Sequence, residues 1–74
     1  MSAYTVEGST RNGVSRVEEA PSKQTAMKLA RKMRDEFDSR SADSVVTVRG
    51  MRGVVGHWRG SADLGWHSVD HREA

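Results

Sequence analysis

The chain has 74 residues, which is enough for one small domain and too few for a second hydrophobic core. It contains no cysteine, so disulfides, thiol catalysis, iron–sulfur clusters and cysteine-ligated zinc are excluded. Twelve lysine and arginine residues against ten acidic residues give a formal net charge of +2, so the chain as a whole is mildly basic.

Nothing in the sequence predicts a membrane protein. Apolar residues occur in runs of two at most, whereas a membrane-spanning helix needs about 20. The first residues also lack the basic segment and apolar segment of a secretory signal. We therefore expect a soluble cytoplasmic protein without a membrane partner.

The segment from Tyr4 to Glu19 predicts a β-hairpin, because Asn12-Gly13 between two alternating segments favours a type I′ turn. With a two-residue loop, the expected register pairs Gly8 with Val17. This register places Val17 on the apolar face of the sheet. It also sets two glutamates opposite each other, which is mildly destabilising, so a longer loop remains an alternative.

The segment from Ser22 to Ser39 predicts an amphipathic helix. Pro21 has a φ angle suited to the start of a helix, and Ser22 is a plausible N-cap. Apolar residues follow at steps of three and four, which is the helical pattern. The polar face is basic in its first half and acidic near its end, an order that opposes the helix dipole.

Two more strands are predicted after the helix. Val45 to Arg49 is rich in β-branched residues, and Gly53 to Arg59 is its expected partner. The predicted fold is α+β: a single-layer, four-stranded, largely antiparallel sheet in ββαββ order, with the helix packed on one face. The expected core residues are Tyr4, Val6, Val17, Ala26, Leu29, Ala30, Met33, Phe37, Val46, Val48, Val54 and Trp58.

We expect one domain over residues 1–65, followed by a polar segment, residues 66–74, that is either a tail or a short extra strand. Within that segment, His67 and His71 are four residues apart, with Asp63 and Asp70 nearby. A metal site needs ligands held rigidly by their surroundings, and few apolar residues are present here to hold them. We therefore expect no metal and no cofactor.

No catalytic signature is present, and neither of the glycine-rich phosphate-binding loops occurs. Gly50-Met51-Arg52-Gly53 has the G-x-x-G pattern of the KH loop, but that loop joins two helices and this one joins two predicted strands. A glycine-containing hairpin is the better interpretation. The sequence thus predicts a binding protein and not an enzyme, and no motif identifies a family.

The segment from Ser44 to Ala62 has no acidic residue and three arginines, so it is locally cationic. The leading hypothesis is a nucleic-acid-binding module that uses this cationic β-hairpin. Trp66 is included as a stacking platform or interface anchor. The candidate binding residues are Arg16, Arg49, Arg52, His57, Arg59 and Trp66, with a secondary basic face of Lys23, Lys28, Arg31 and Lys32 on the helix.

Three other interpretations remain open. The arginines can be a solvated strand face whose charges prevent aggregation. The chain can be a small regulator or inhibitor, of the type carried by mobile elements, that docks on a larger host protein complex. It can also be a structural homo-oligomer, such as a homodimer. Charge alone does not distinguish a nucleic acid from an acidic protein surface.

Overall fold

The computed structural model of the chain describes residues 3–10, 13 and 15–69. The strands form one antiparallel sheet in the order β2-β1-β3-β4-β5, and the helix packs on one face of it. The predicted α+β fold is confirmed, with a fifth strand at one edge. The elements are β1 (Tyr4–Ser9), β2 (Ser15–Ala20), α1 (Lys23–Glu36), β3 (Val45–Gly50), β4 (Gly53–Arg59) and β5 (His67–Ser68).

The helix α1 starts at the predicted cap and ends earlier than predicted. The Ser22 hydroxyl accepts a hydrogen bond from the backbone N–H of Thr25 at 3.2 Å. The helix ends at Glu36 because Phe37 adopts an extended backbone and packs its ring against Gly8. Over the described residues, no helix has the length and apolar character needed to cross a membrane.

The core lies between α1 and the strands β1 and β3. Alanines at two positions of the buried helix face, Ala26 and Ala30, leave little side chain between helix and sheet. The fully buried apolar residues are Val6, Ala20, Ala26, Ala30, Met33, Val46 and Val48. Those partly buried against them are Tyr4, Met27, Leu29, Phe37, Val55, Trp58 and Trp66.

The predicted register of the first hairpin is wrong by one residue. Gly8 pairs with Arg16, and Glu7 pairs with Val17. The loop is therefore longer than two residues, and a shift of one residue exchanges the two faces of a strand. Val17 lies on the outer face with a relative exposure of 65%, so its predicted core position is wrong. The loop residues Arg11, Asn12 and Val14 lie outside the described residues.

At the start of β4, the residues on the two faces of the sheet are exchanged relative to the prediction. The β3–β4 pairing shifts between Val48 and Arg49, because β4 contains one extra residue, a β-bulge. Val54 consequently pairs with Arg49 on the outer face, and Val55 packs against the core. Beyond the bulge the predicted alternation returns, and Trp58 lies against the core as expected.

The two faces of the sheet differ in how they are covered. The backbone of α1 lies close to β1, β2 and β3, and the side chain of Arg34 reaches Trp58 of β4. On the helix side, a groove runs along α1, and its lining residues belong to the helix. We call the opposite surface the open face, and strand pairing assigns to it Thr5, Glu7, Ser9, Ser15, Val17, Glu19, Val45, Thr47, Arg49, Val54, His57, Arg59 and His67.

Candidate anion-binding groove

The candidate residues of the predicted hairpin site do not share one surface. Strand pairing separates the residues of the open face from those on the helix side. Arg49, His57 and Arg59 lie on the open face, Arg52 lies in the β3–β4 turn, and Arg16 and Trp66 lie on the helix side.

The open face carries charges of both signs. Arg49 Nε lies 3.4 Å from Glu7 Oε2, so this arginine is partly neutralised. His57 Nδ1 lies 2.8 Å from Thr47 Oγ1. Within the part of the chain that the structure describes, Arg59 makes no ion pair. The mixture of signs makes this face a weak attractor of phosphate groups.

Arg16 connects the edge of the sheet to the helix. Its guanidinium pairs with Glu18 at 2.9 Å and also with Glu36 of α1. The hydrogen bond to Glu36 and the charge of that carboxylate raise the pKa of Arg16. An arginine held by two carboxylates has little attraction left for a phosphate, so Arg16 has a structural role.

Trp66 is an internal anchor and not an exposed stacking platform. It is partly buried against the core, and its indole Nε1–H donates a hydrogen bond to the carbonyl oxygen of Arg34 at 2.7 Å. This bond connects the segment before β5 to the helix.

The secondary basic face contributes three of its four residues to the groove beside α1. Its volume is about 580 Å³, and we call it the cationic groove. Lys32 is not among its lining residues; at 100° per residue it lies about 40° beyond Lys28, toward Glu36. The residues lining the cationic groove are Lys23, Gln24, Met27, Lys28, Arg31 and Arg34.

The inner surface of β4 positions Arg34 in the groove. The indole of Trp58 lies across Gly56, where an added Cβ would stand 2.6 Å from Trp58 Cη2. The guanidinium of Arg34 lies over this indole, 4.3 Å from the ring centroid, in a cation–π contact. Glycine at position 56 therefore allows the indole to lie flat beneath the arginine.

Arg34 carries an unsatisfied donor. Its Nη1 is buried and has no hydrogen-bond partner among the residues described. Burial lowers the pKa of Arg34, the neighbouring Arg31 lowers it further, and Asp35 opposes both. A buried donor without an acceptor costs free energy.

A smaller hollow of about 250 Å³ lies beside the β3–β4 turn. Its lining includes Arg52, Tyr4 and Val55, and Tyr4 pairs with Ala20 just before the helix. Arg52 makes no ion pair with any residue in the described ranges. The turn between β3 and β4 therefore places a cation at a second hollow, which shares no lining residue with the cationic groove.

Sequence reasoning missed Arg34, although a signal for it was present. Positions 23, 27, 31 and 34 follow one another at steps of four, four and three, which places them along one side of a helix. Applying that spacing to the basic residues selects Lys23, Arg31 and Arg34, and it leaves out both Lys32 and Lys28, although Lys28 lines the groove. The contact of Arg34 with Trp58 has no sequence signal, because it depends on where α1 crosses the sheet.

No group of three potential metal ligands occurs among the described residues, and His71 and Asp70 of the considered metal site lie outside them. Comparison of the chain with protein-family models, curated proteins and solved structures finds no significant match.

Proposed function

We propose that the chain is a small non-enzymatic binding module for nucleic acid, and that the cationic groove binds the phosphates. One observation supports the proposal above others: four basic side chains line a single groove, and none of its lining residues is acidic. Lysine and arginine contacts to phosphates supply most of the affinity in non-specific nucleic-acid binding.

The shape of the groove favours a polyanion over a single small anion. Lys23 and Arg34 are separated by 11 positions, which correspond to about 17 Å along a helix. The cations thus form a row and not a point. Met27 and the methylene stems of the basic side chains add an apolar surface that suits sugars and bases.

In this proposal the β3–β4 hairpin has a supporting role. Arg52 lies at a separate hollow beside the turn, and Arg49 shares its charge with Glu7. The principal binding residues are therefore Lys23, Lys28, Arg31 and Arg34.

A salt titration tests the proposal. Fluorescence anisotropy with labelled single-stranded and duplex oligonucleotides should show binding that weakens as salt rises. With about four phosphates neutralised, the slope of log affinity against log salt should be about −3 to −4, or roughly a 100-fold loss between about 50 and 200 mM salt.

Two controls complete the test. The double variant Lys28→Glu, Arg31→Glu should lose binding, while Lys32→Glu, which lies outside the groove lining, should retain most of it. Absence of binding to both probes, or an affinity unaffected by salt, would contradict the proposal. A partner retained from nuclease-treated lysate, together with no oligonucleotide binding, would instead support the protein-binding regulator.

A further inference from the structure

The strand β2 is an open edge of the sheet. Among the described residues it pairs with β1 on one side and with no strand on the other, so part of its backbone N–H and C=O groups have no strand partner. The opposite edge is β5, which has two residues, whereas β2 has six. An unpaired edge of this length is a template for a further strand.

The sequence of β2 lacks two of the features that block edge pairing. It contains no proline, and its register with β1 is continuous, without a bulge. Val17, near the middle of the strand, is 65% exposed, and a strand added alongside would cover its side chain. The charged residues of β2, which are Arg16, Glu18 and Glu19, therefore decide which strand can lie beside it.

The charges of β2 select one register for a second copy of the same strand. In an antiparallel pair with a two-fold axis, facing residues lie on the same side of the sheet, so the axis passes through one residue position. An axis at Arg16, Glu18 or Glu19 sets two like charges against each other, which is destabilising. An axis at Val17 sets each Arg16 opposite Glu18 of the other copy, and Ser15 then faces Glu19. An axis at either end of the strand leaves most of it unpaired.

The contacts of Arg16 within one chain are compatible with this register. Its guanidinium is held by Glu18 of its own strand and by Glu36 of α1. The side chain is still 37% exposed, and a guanidinium has five N–H donors, so donors remain for Glu18 of a second copy. The register therefore adds contacts between unlike charges and does not require these ion pairs to break.

We propose that β2 is the interface of a weak homodimer, in which two copies pair edge to edge and antiparallel, with Val17 at the two-fold axis. The pairing forms about four to six backbone hydrogen bonds and joins the two sheets into one of ten strands. Because the axis is perpendicular to the sheet, both helices lie on the same side of it.

The length of the edge sets the strength of the dimer. Six residues at about 3.3 Å rise give a contact about 20 Å long and one strand wide. A contact of this size belongs with the small, transient interfaces. The dimer is therefore expected at concentrations of hundreds of micromolar.

Single cysteines test the register directly, because the chain contains no cysteine of its own. Facing Cα atoms of antiparallel strands lie about 4.5 to 5.5 Å apart, within the range that a disulfide spans. Val17→Cys should therefore give a disulfide-linked dimer under mild oxidation, measured by non-reducing electrophoresis. Ser15→Cys and Glu19→Cys should each crosslink poorly alone and readily when mixed, since only the mixture brings these two positions opposite each other.

Sedimentation velocity shows whether the dimer forms without a crosslink. The full chain at about 500 μM should contain a species of twice the monomer mass. Val17→Lys sets two like charges together at the axis, so it should remain a monomer, and circular dichroism should show that it folds, because the position is exposed. Val54→Lys is the matched control: it places the same charge on the open face of β4, away from β2, and should leave the dimer intact.

Three outcomes would overturn the proposal. These are a wild-type chain that stays monomeric, a Val17→Lys variant that still dimerises, and a Val54→Cys variant that crosslinks as readily as Val17→Cys. If the wild-type chain is monomeric and Val17→Lys loses a protein retained from nuclease-treated lysate, the edge binds that protein and not a second copy. None of the substituted residues lines the cationic groove, so these results are independent of the proposed function.

Discussion

The stack of Arg34 on Trp58 joins the fold to the proposed function. Trp58 supports the guanidinium from below, and the carbonyl oxygen of Arg34 accepts the indole hydrogen bond of Trp66. Trp58 thus contacts the side chain of Arg34, and Trp66 contacts its backbone. The position of the guanidinium is fixed by packing, which lowers the conformational entropy lost on binding a ligand.

Replacement of this side chain should separate stability from binding. Arg34→Met keeps a long apolar stem on Trp58 and removes the unsatisfied Nη1, so the free energy of unfolding should change by no more than about 1 kcal/mol. Oligonucleotide affinity should fall about 10-fold, which corresponds to about 1.4 kcal/mol. Urea unfolding and fluorescence anisotropy measure the two quantities.

The matched control is Lys32→Met, which removes the same charge from a position of α1 outside the groove lining and should lower affinity less than twofold. Equal losses in the two variants would mean that net charge governs binding, and not the cationic groove.

At the scale of the secondary-structure elements, the strands were located correctly but two of their faces were assigned wrongly. The N-cap of α1 and the strand segments depend on residues close in sequence, and Ser22 caps the helix as predicted. The face of β2 depends on the length of a loop, and the start of β4 depends on a bulge. Each differs from the expectation by one residue, which is enough to exchange inside and outside.

The register of β2 has a measurable consequence. Val6→Ala should lower the free energy of unfolding by about 2 kcal/mol or more, because Val6 is fully buried. Val17→Ala should lower it by less than about 0.5 kcal/mol, because Val17 lies on the open face. Urea denaturation of both variants measures the two losses. Equal losses of unfolding free energy would contradict the observed register and support the register with a two-residue loop.

At the scale of the whole molecule, the segment after β4 is attached to the rest of the domain. Val69 donates a backbone hydrogen bond to His57, β5 pairs with the end of β4, and Trp66 contacts both the core and α1. A small domain has only about 5 to 15 kcal/mol of stability, so the loss of these contacts should be a large part of the total.

A chain shortened to end at Gly65 tests this attachment. It loses Trp66 and β5, and its free energy of unfolding should fall by about 3 kcal/mol, as for removal of a large aromatic side chain. Trp66→Phe, which loses the indole hydrogen bond, should cost about 1 kcal/mol. If the shortened chain were as stable as the full chain, residues 1–65 would form a complete domain, as the sequence suggested.

The sequence by itself determined the order of the elements, the α+β class, the start of α1 and the basic character of the helix, because hydrophobic period, capping and turn residues act over a few neighbouring positions. Only the tertiary structure decided which face Val17 occupies, which flank of α1 faces β4, and that Arg34 lies on Trp58. Those features depend on loop length, a bulge and the position of the helix across the sheet. They are set by contacts between residues far apart in the chain, where a displacement of one residue changes a side chain's surroundings completely.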